Sequence, residues 1–233
     1  MKSIPLLSIT QGMAAAVPIW VGYAAVGIPF GVLARQAGLD PFQIALMSVI
    51  VFAGSAQFIA VSMIASGASV VPIIITTFFV NLRHLLMSSS LALHLKGASR
   101  GILSLFAYGV TDESFAVNLT KFMDGAWDVN RALVVNHSSN VAWIISTIAG
   151  GYLGEVVPKG ALGIDYALTA MFIALLVLQL RNRLIMVLAI LSGALSLAFS
   201  LILPGAWNIV LSSVMAASAG IAITSVFRLK NRV

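Results

Sequence analysis

The stretch Thr-Thr-Phe-Phe-Val-Asn-Leu-Arg-His-Leu-Leu-Met at residues 76–87 places Asn81, Arg83 and His84 inside an apolar run that extends from about 70 to 95. No Asp, Glu, Lys, Arg or His precedes Arg83 back to Asp40. A run this long and this apolar belongs in lipid, where an ionisable residue is costly and marks a functional site by default. On a helix Asn81, His84 and Ser88 share one face, because spacings of three and four return to the same side. Arg83 points elsewhere, so it needs a counter-ion or a water-filled cavity, and the rest of the chain must supply it.

Composition agrees with this reading. The 233 residues are 60% hydrophobic and 9% charged, against roughly 25% charged in soluble domains, and the mean hydropathy is +1.05. The runs are long and do not alternate, which favours helices over the ten-residue alternating strands of membrane barrels. The expected fold is all-α: one polytopic transmembrane domain over 1–233 with about eight spans and broken helices. Cysteine is absent, which excludes disulfides, thiolate metal sites and cysteine nucleophiles. The net charge of +6 is scattered over connections and the C-terminus, the distribution of a topology signal rather than of a nucleic-acid surface. No Gly-x-x-x-x-Gly-Lys phosphate loop is present, so the chain does not hydrolyse ATP by itself. The three histidines lack zinc-site spacing, no cofactor is indicated, and nothing orients a base towards Ser55 as a hydrolase would need.

Around the opening stretch the spans fall in order. The first covers about 13–34; Ala14 to Ala16 resembles a signal-peptidase site, but a full span follows. It contains Gly-Ile-Pro-Phe-Gly at 27–31, where Pro29 implies a kink or a broken helix lining a cavity. Asp40 reads as an N-cap with Pro41 at the first helical position. The second span, 42–65, holds Val-Phe-Ala-Gly-Ser-Ala-Gln-Phe at 51–58. There Gly54, Ser55 and Gln57 suit either close packing with one interhelical hydrogen bond or a half-helix that exposes backbone to substrate. The third is 70–95. The fourth, about 101–120, is interrupted by Thr-Asp-Glu-Ser at 111–114, so it either lines a polar cavity or is shorter and re-entrant. Residues 121–131 read as a solvated loop with an interfacial Trp127. The fifth span, 132–153, begins at the cluster Asn-His-Ser-Ser-Asn, whose His137 reads as a polar end-cap. The sixth is 163–180, with Asp165 at its start. The 44 uncharged residues 184–227, roughly 66 Å of helix, form two more spans hinged at Pro204-Gly205.

Eight spans put Lys2, Lys121, Arg131, Arg181, Arg183, Arg228, Lys230 and Arg232 on one side and Arg35, Lys96, Arg100 and Lys159 on the other. The bias makes both termini cytoplasmic. Without a fourth crossing the count is seven and the N-terminus lies outside. Residues 38–42 echo 163–167, a hint of repeated halves. Asp112, Glu113 and Asp165 remain as intramembrane carboxylates, any one of which suits Arg83. His84 has the range to carry a proton.

Taken together, the motifs at 27–31, 51–58, 81–84 (Asn-Leu-Arg-His), 112–116 (Asp-Glu-Ser-Phe-Ala) and 162–167 (Leu-Gly-Ile-Asp-Tyr-Ala) resemble the AzlC family over roughly residues 14–180. The resemblance implies the large subunit of a branched-chain amino acid exporter, working with a small AzlD-type membrane subunit. It further implies export of leucine, isoleucine and valine, with methionine as a further candidate, from a bacterial cytoplasm on an ion gradient. The residues alone also allow a passive channel for a small neutral solute, or an accessory subunit with no path of its own. A zwitterionic substrate needs an anion site, at Gly54–Ser55 or Arg83, and a cation site at Asp112, Glu113 or Asp165.

Overall fold

The computed structural model describes residues 6–125, 127–158 and 183–202, with isolated positions within 163–180 and 211–223. Asp165 lies outside the described residues. The described residues form helices and turns with no strand. They divide into two units, residues 1–69 with 80–168, and residues 70–79 with 169–233.

In the first unit, α1 (Leu6–Gln36) and α7 (Val129–Leu153) form the frame. They run in the same direction in close contact. A Cβ at Gly12 would strike Val134, one at Gly27 would strike Ser146, and one at Gly154 would strike Arg35. At the centre the backbones themselves touch: a Cβ on Gly31 would sit 2.1 Å from the Thr147 carbonyl oxygen, and one on Gly150 would sit 2.1 Å from that of Ile28. Small residues at four-residue spacing permit this approach, the usual device where lipid supplies no hydrophobic drive for helix association. The seam is closed at one end by Gln11 with Arg131 and at the other by Arg35 with Glu155 at 3.0 Å. α1 is continuous through Pro29, so of the two readings offered there, a kink or a broken helix, the broken helix is not observed. The ring costs one helical hydrogen bond, while the surrounding contact with α7 holds the helix together.

The breaks lie elsewhere. The second predicted span is two half-helices, α2 (Pro41–Ile50) and α3 (Gly54–Ala65). Asp40 caps α2 in a full capping box with Gln43, and Pro41 follows as expected. Between the halves Phe52 has φ +38°, a left-handed backbone that lets the chain reverse. α2 enters from the Glu155 end, since Pro41 and Ile44 lie against Gly151 and Ser48 lies against Thr147. α3 returns to that end, since Gly54 at its start lies against Trp143 while Phe58, one turn on, packs on Phe30 of α1, nearer Arg35; the turn at 66–69 then leads into α4 (Val70–Ala92), whose Arg83 lies beside Ser55.

The fourth predicted span is likewise α5 (Arg100–Tyr108) and α6 (Asp112–Met123). His94, just past α4, stacks on Phe122 near the end of α6 with ring centroids 5.3 Å apart. The chain therefore enters and leaves from one end, the shorter re-entrant reading of this segment. Leu91, Leu95, Phe106, Ala132 and Leu133 form the apolar core at that end, with Trp127 packed against it. Trp127 also donates to Asn118 at 3.0 Å and lies beneath the Lys121 ammonium. It thus ties the loop, which the sequence suggested to be solvated with an interfacial Trp127, to the core at this end. The Asn-His-Ser-Ser-Asn cluster lies inside α7 rather than at its start, because α7 begins at Val129 under an Asp128 cap. Lys96 and Arg100 consequently share an end with Lys121 and Arg131, opposite to Arg35; a full crossing by 101–120 had separated them.

In the second unit, α8 (Arg183–Ser200) is long and apolar enough to cross a membrane. A Cβ at Gly220 would lie 2.7 Å from Leu188, so the chain packs closely on α8 there. Residues 70–79 of α4 carry no charge, and Val70, Val71, Ile74 and Phe78 among them are exposed, as on a lipid-facing surface.

Two outcomes follow from this architecture. Gly31→Ala is expected to destabilise by about 1–3 kcal/mol, the range for overpacking, whereas Gly22→Ala, which meets open space, is neutral or stabilising; thermal unfolding in detergent measures both. The chain is cysteine-free, so single cysteines report topology directly. Lys96→Cys and Asp124→Cys should react with an impermeant maleimide from one side and Ser69→Cys from the other; labelling of Lys96→Cys and Asp124→Cys from opposite sides would restore the full crossing.

Candidate functional site

Two chain reversals inside a membrane leave helix ends that lipid cannot satisfy. At the first, Gln57 does the stitching. Its carbonyl accepts the Ala53 N–H at 3.2 Å and the Trp143 indole N–H at 3.0 Å, and its amide donates to Ser48 at 3.2 Å. Ser48 in turn bonds Thr147 at 2.8 Å. One fully buried amide thus joins α2, α3 and α7. At the second reversal the Asn136 amide donates to the Phe106 carbonyl at 3.0 Å and its oxygen accepts from Asn118 at 2.8 Å, joining α5, α6 and α7. Thr111 caps α6 in a capping box with Ser114, whose hydroxyl also donates to the Gly109 carbonyl at 3.1 Å. The side chains that hold both reversals come from one face of α7, where Asn136, Asn140, Trp143 and Thr147 are spaced four, three and four.

The reversals bring the N-termini of α3 and α6 to Arg83. Its guanidinium pairs with Asp112, Nη1 to Oδ2 at 2.9 Å, and donates through Nη2 to the Ser55 hydroxyl. The side chains of Arg83 and Asp112 are 30% and 26% exposed, so the pair is shielded yet reachable. Arg83 Nε is buried without a hydrogen-bond partner, and so is Asn81 Oδ1. Unlike α6, α3 has no side-chain cap: Ala53 occupies the N-cap position, which leaves the leading amide N–H groups of α3 as donors. Gly54 opens that turn, and a Cβ there would come 3.3 Å from Trp143. The result is a positive locus, made of a guanidinium and a helix N-terminus, beside one carboxylate.

Tyr23 of α1 closes the other side of the α6 N-terminus. Its hydroxyl lies 2.7 Å from Thr111 Oγ1 and 3.0 Å from Glu113 Oε2. Phe52 packs edge-on to Tyr23 and near Tyr108, whose hydroxyl donates to the Val49 carbonyl at the end of α2. The two reversals therefore meet. Asn140 and His137, beside Tyr108, keep buried nitrogens without partners.

Of the residues singled out in the sequence, Gly54, Ser55, Arg83, Asp112 and Glu113 converge here, and Asn81 and His84 flank Arg83 on α4. Gln57 is occupied in holding the first reversal. Pro29 stands six residues beyond Tyr23 on α1, roughly 9 Å along the axis, away from the cluster. Tyr23, Thr111, Tyr108 and Trp143 were not anticipated. The spacing of polar residues along α7 was a usable signal, whereas Tyr23 sits in an unremarkable apolar stretch.

The sequence model described as "AzlC protein" matches residues 18–157. The chain is 29% identical to the "Inner membrane protein YgaZ" of Escherichia coli (strain K12) over 194 residues, 80% of this chain and 79% of that one. It is 29% identical to the "Branched-chain amino acid transport protein AzlC" of Bacillus subtilis (strain 168), over 70% of this chain and 64% of that one, just under two thirds of its length. An "Uncharacterized membrane protein" of Archaeoglobus fulgidus is 31% identical over 82% of this chain and 84% of its own. No solved structure gives a significant match.

Replacing Gln57 by Leu should orphan the Ala53 and Trp143 N–H groups, at about 1–3 kcal/mol for each. A loss below about 1 kcal/mol in thermal or denaturant unfolding would show that the first reversal is held by something else.

Proposed function

The chain belongs to the AzlC family, and on that premise we propose that it forms the path of a secondary exporter for branched-chain amino acids. Leucine, isoleucine and valine are the expected substrates, with methionine next. The partner is a small AzlD-type membrane subunit, and the site is the cytoplasmic membrane. The observation that carries this reading is the Arg83–Asp112 pair between two half-helix N-termini. An α-amino acid is itself an ion pair. Its carboxylate suits the Arg83 guanidinium and the uncapped amides of α3, and its ammonium suits Asp112. Entry of the zwitterion replaces one ion pair by two and leaves the net charge of the site unchanged. The buried Phe52 and Tyr23 rings beside it favour an apolar side chain.

Orientation follows from the basic connections. Lys96, Arg100, Lys121 and Arg131 lie at one end of the first unit and Arg35 at the other, a distribution that supports a cytoplasmic location for the first group and for the N-terminus. With the second and fourth segments turning back, the other sequence-read spans keep the number of crossings even, so both termini remain on the cytoplasmic side.

Vesicles containing the protein and the small subunit, loaded with labelled leucine, test the reading. Uphill efflux on an imposed gradient is expected, with Arg83→Ala and Asp112→Asn each reducing it by about tenfold or more, the equivalent of 1.4 kcal/mol. Unchanged efflux in both variants would remove the pair from the path. Movement that is downhill only would favour a channel.

A further inference from the structure

We propose that Glu113 is the proton-binding site that couples this path to a proton gradient, an inference that rests on the transport reading above. Two adjacent carboxylates start α6, and the structure separates their roles. Asp112 is engaged by Arg83 at 2.9 Å. Glu113 has no basic partner among the described residues; it accepts instead from the Tyr23 hydroxyl at 3.0 Å. An unpaired carboxylate at a reversal inside a membrane is the residue type that proton relays use.

The geometry gives a bound proton something to move. Tyr23 carries one hydroxyl proton and has two acceptors, Glu113 Oε2 at 3.0 Å and Thr111 Oγ1 at 2.7 Å. With Glu113 ionised, that proton turns to the carboxylate. When hydronium gives a proton to Oε2 and departs as water, the new O–H donates to the Tyr23 oxygen and the Tyr23 proton turns to Thr111. The O–H bond broken is that of the hydronium, and the Tyr23 O–H stays intact. Thr111 is the cap of α6 and precedes Asp112, and its Oγ1 already accepts the Ser114 N–H. Proton occupancy is therefore felt one residue from the substrate pair, at the cap that fixes where Asp112 stands.

The titratable and charged groups around Glu113 come from several elements. Tyr23 faces it from α1. Arg83 of α4 is held by Asp112 and Ser55, with His84 next to it in the chain. α7 brings His137, which stacks on Tyr108 of α5 with centroids 6.1 Å apart. α3 has no ionisable residue.

Two measurements test the proposal. In proteoliposomes carrying the full chain and the small subunit, the wild type should accumulate leucine on a proton gradient and exchange labelled for unlabelled leucine without one, at a rate that varies with pH. Glu113→Gln should lose accumulation while its exchange becomes independent of pH. Tyr23→Phe should keep accumulation with a shifted pH profile of exchange. Separately, infrared difference spectra on acidification should show a protonated-carboxyl C=O band in the wild type that Glu113→Gln lacks. Gradient-driven accumulation by Glu113→Gln, or persistence of the infrared band, overturns the proposal and leaves the substrate reading intact. Loss of exchange in a Glu113→Gln protein that unfolds at the wild-type temperature also overturns it, since Glu113 would then bind substrate. Absence of leucine exchange in the wild type, with the infrared band present, overturns the substrate reading instead and leaves Glu113 as a proton site.

Discussion

The close approach of α1 and α7 at Gly31 and Gly150 is the constraint on which the rest depends. A carbonyl oxygen would lie 2.1 Å from a Cβ at either position, a distance that no side chain accommodates. This contact fixes the register of two parallel helices, and with it the height of every polar group on the inner face of α7. Both chain reversals are tied to that face. If α7 slid along α1 by one turn, about 5.4 Å, Thr147 would leave Ser48 and Trp143 would leave Gln57. The position of Arg83 and Asp112 is thus set by a helix seam in which neither takes part.

The reversals explain how an arginine is tolerated in the membrane. A half-helix that ends inside a bilayer exposes amide groups at its start and carbonyls at its end, each costly if unsatisfied. The structure answers the two ends differently. The carbonyl ends take internal donors: Asn136 on Phe106, Ser114 on Gly109 and Tyr108 on Val49. At the amide ends, Thr111 caps α6, while α3 is left for Ser55 and Arg83 to surround. The order also repeats with opposite sense, since α1 is followed by a hairpin from one end and α4 by a hairpin from the other. Opposed repeats meeting at broken helices are a recurring way to build a midplane site. The five-residue echo noted in the sequence pairs other segments, and most of its second half lies outside the described residues.

Much of this was legible in the sequence, and the remainder was hidden for a physical reason. Hydropathy identified the class, and the exclusion of charge from a long run singled out Arg83 and the carboxylates near 112. Small and polar residues marked both reversals, at Gly54–Ser55 and at 111–114. Direction was not legible: about 24 apolar residues read as one crossing whether the chain continues or turns back, and only a contact such as His94 on Phe122 decides between them. That is also why sequence alone groups Lys96 and Arg100 with Arg35 rather than with Lys121 and Arg131. The sequence allows Gln57 either an interhelical hydrogen bond or a place on a pathway, and the bond to Trp143 of α7 matches the first. Pro29 allows either a kink or a break, and α1 runs through it unbroken.

On the assignment proposed above, keeping Asp112 and Glu113 adjacent but differently engaged resolves a conflict that any coupled path faces. A carboxylate that holds a substrate ammonium must stay charged while the substrate is present, and one that carries a proton must lose its charge in each cycle. One residue would have to do these in alternation, with binding lost whenever it was protonated. Successive positions on a helix point about 100° apart, so neighbours at the start of α6 face different partners: Arg83 of α4 for Asp112, Tyr23 of α1 for Glu113. The helix turn would thus separate the two proposed tasks in space, with Thr111 as the cap next to both.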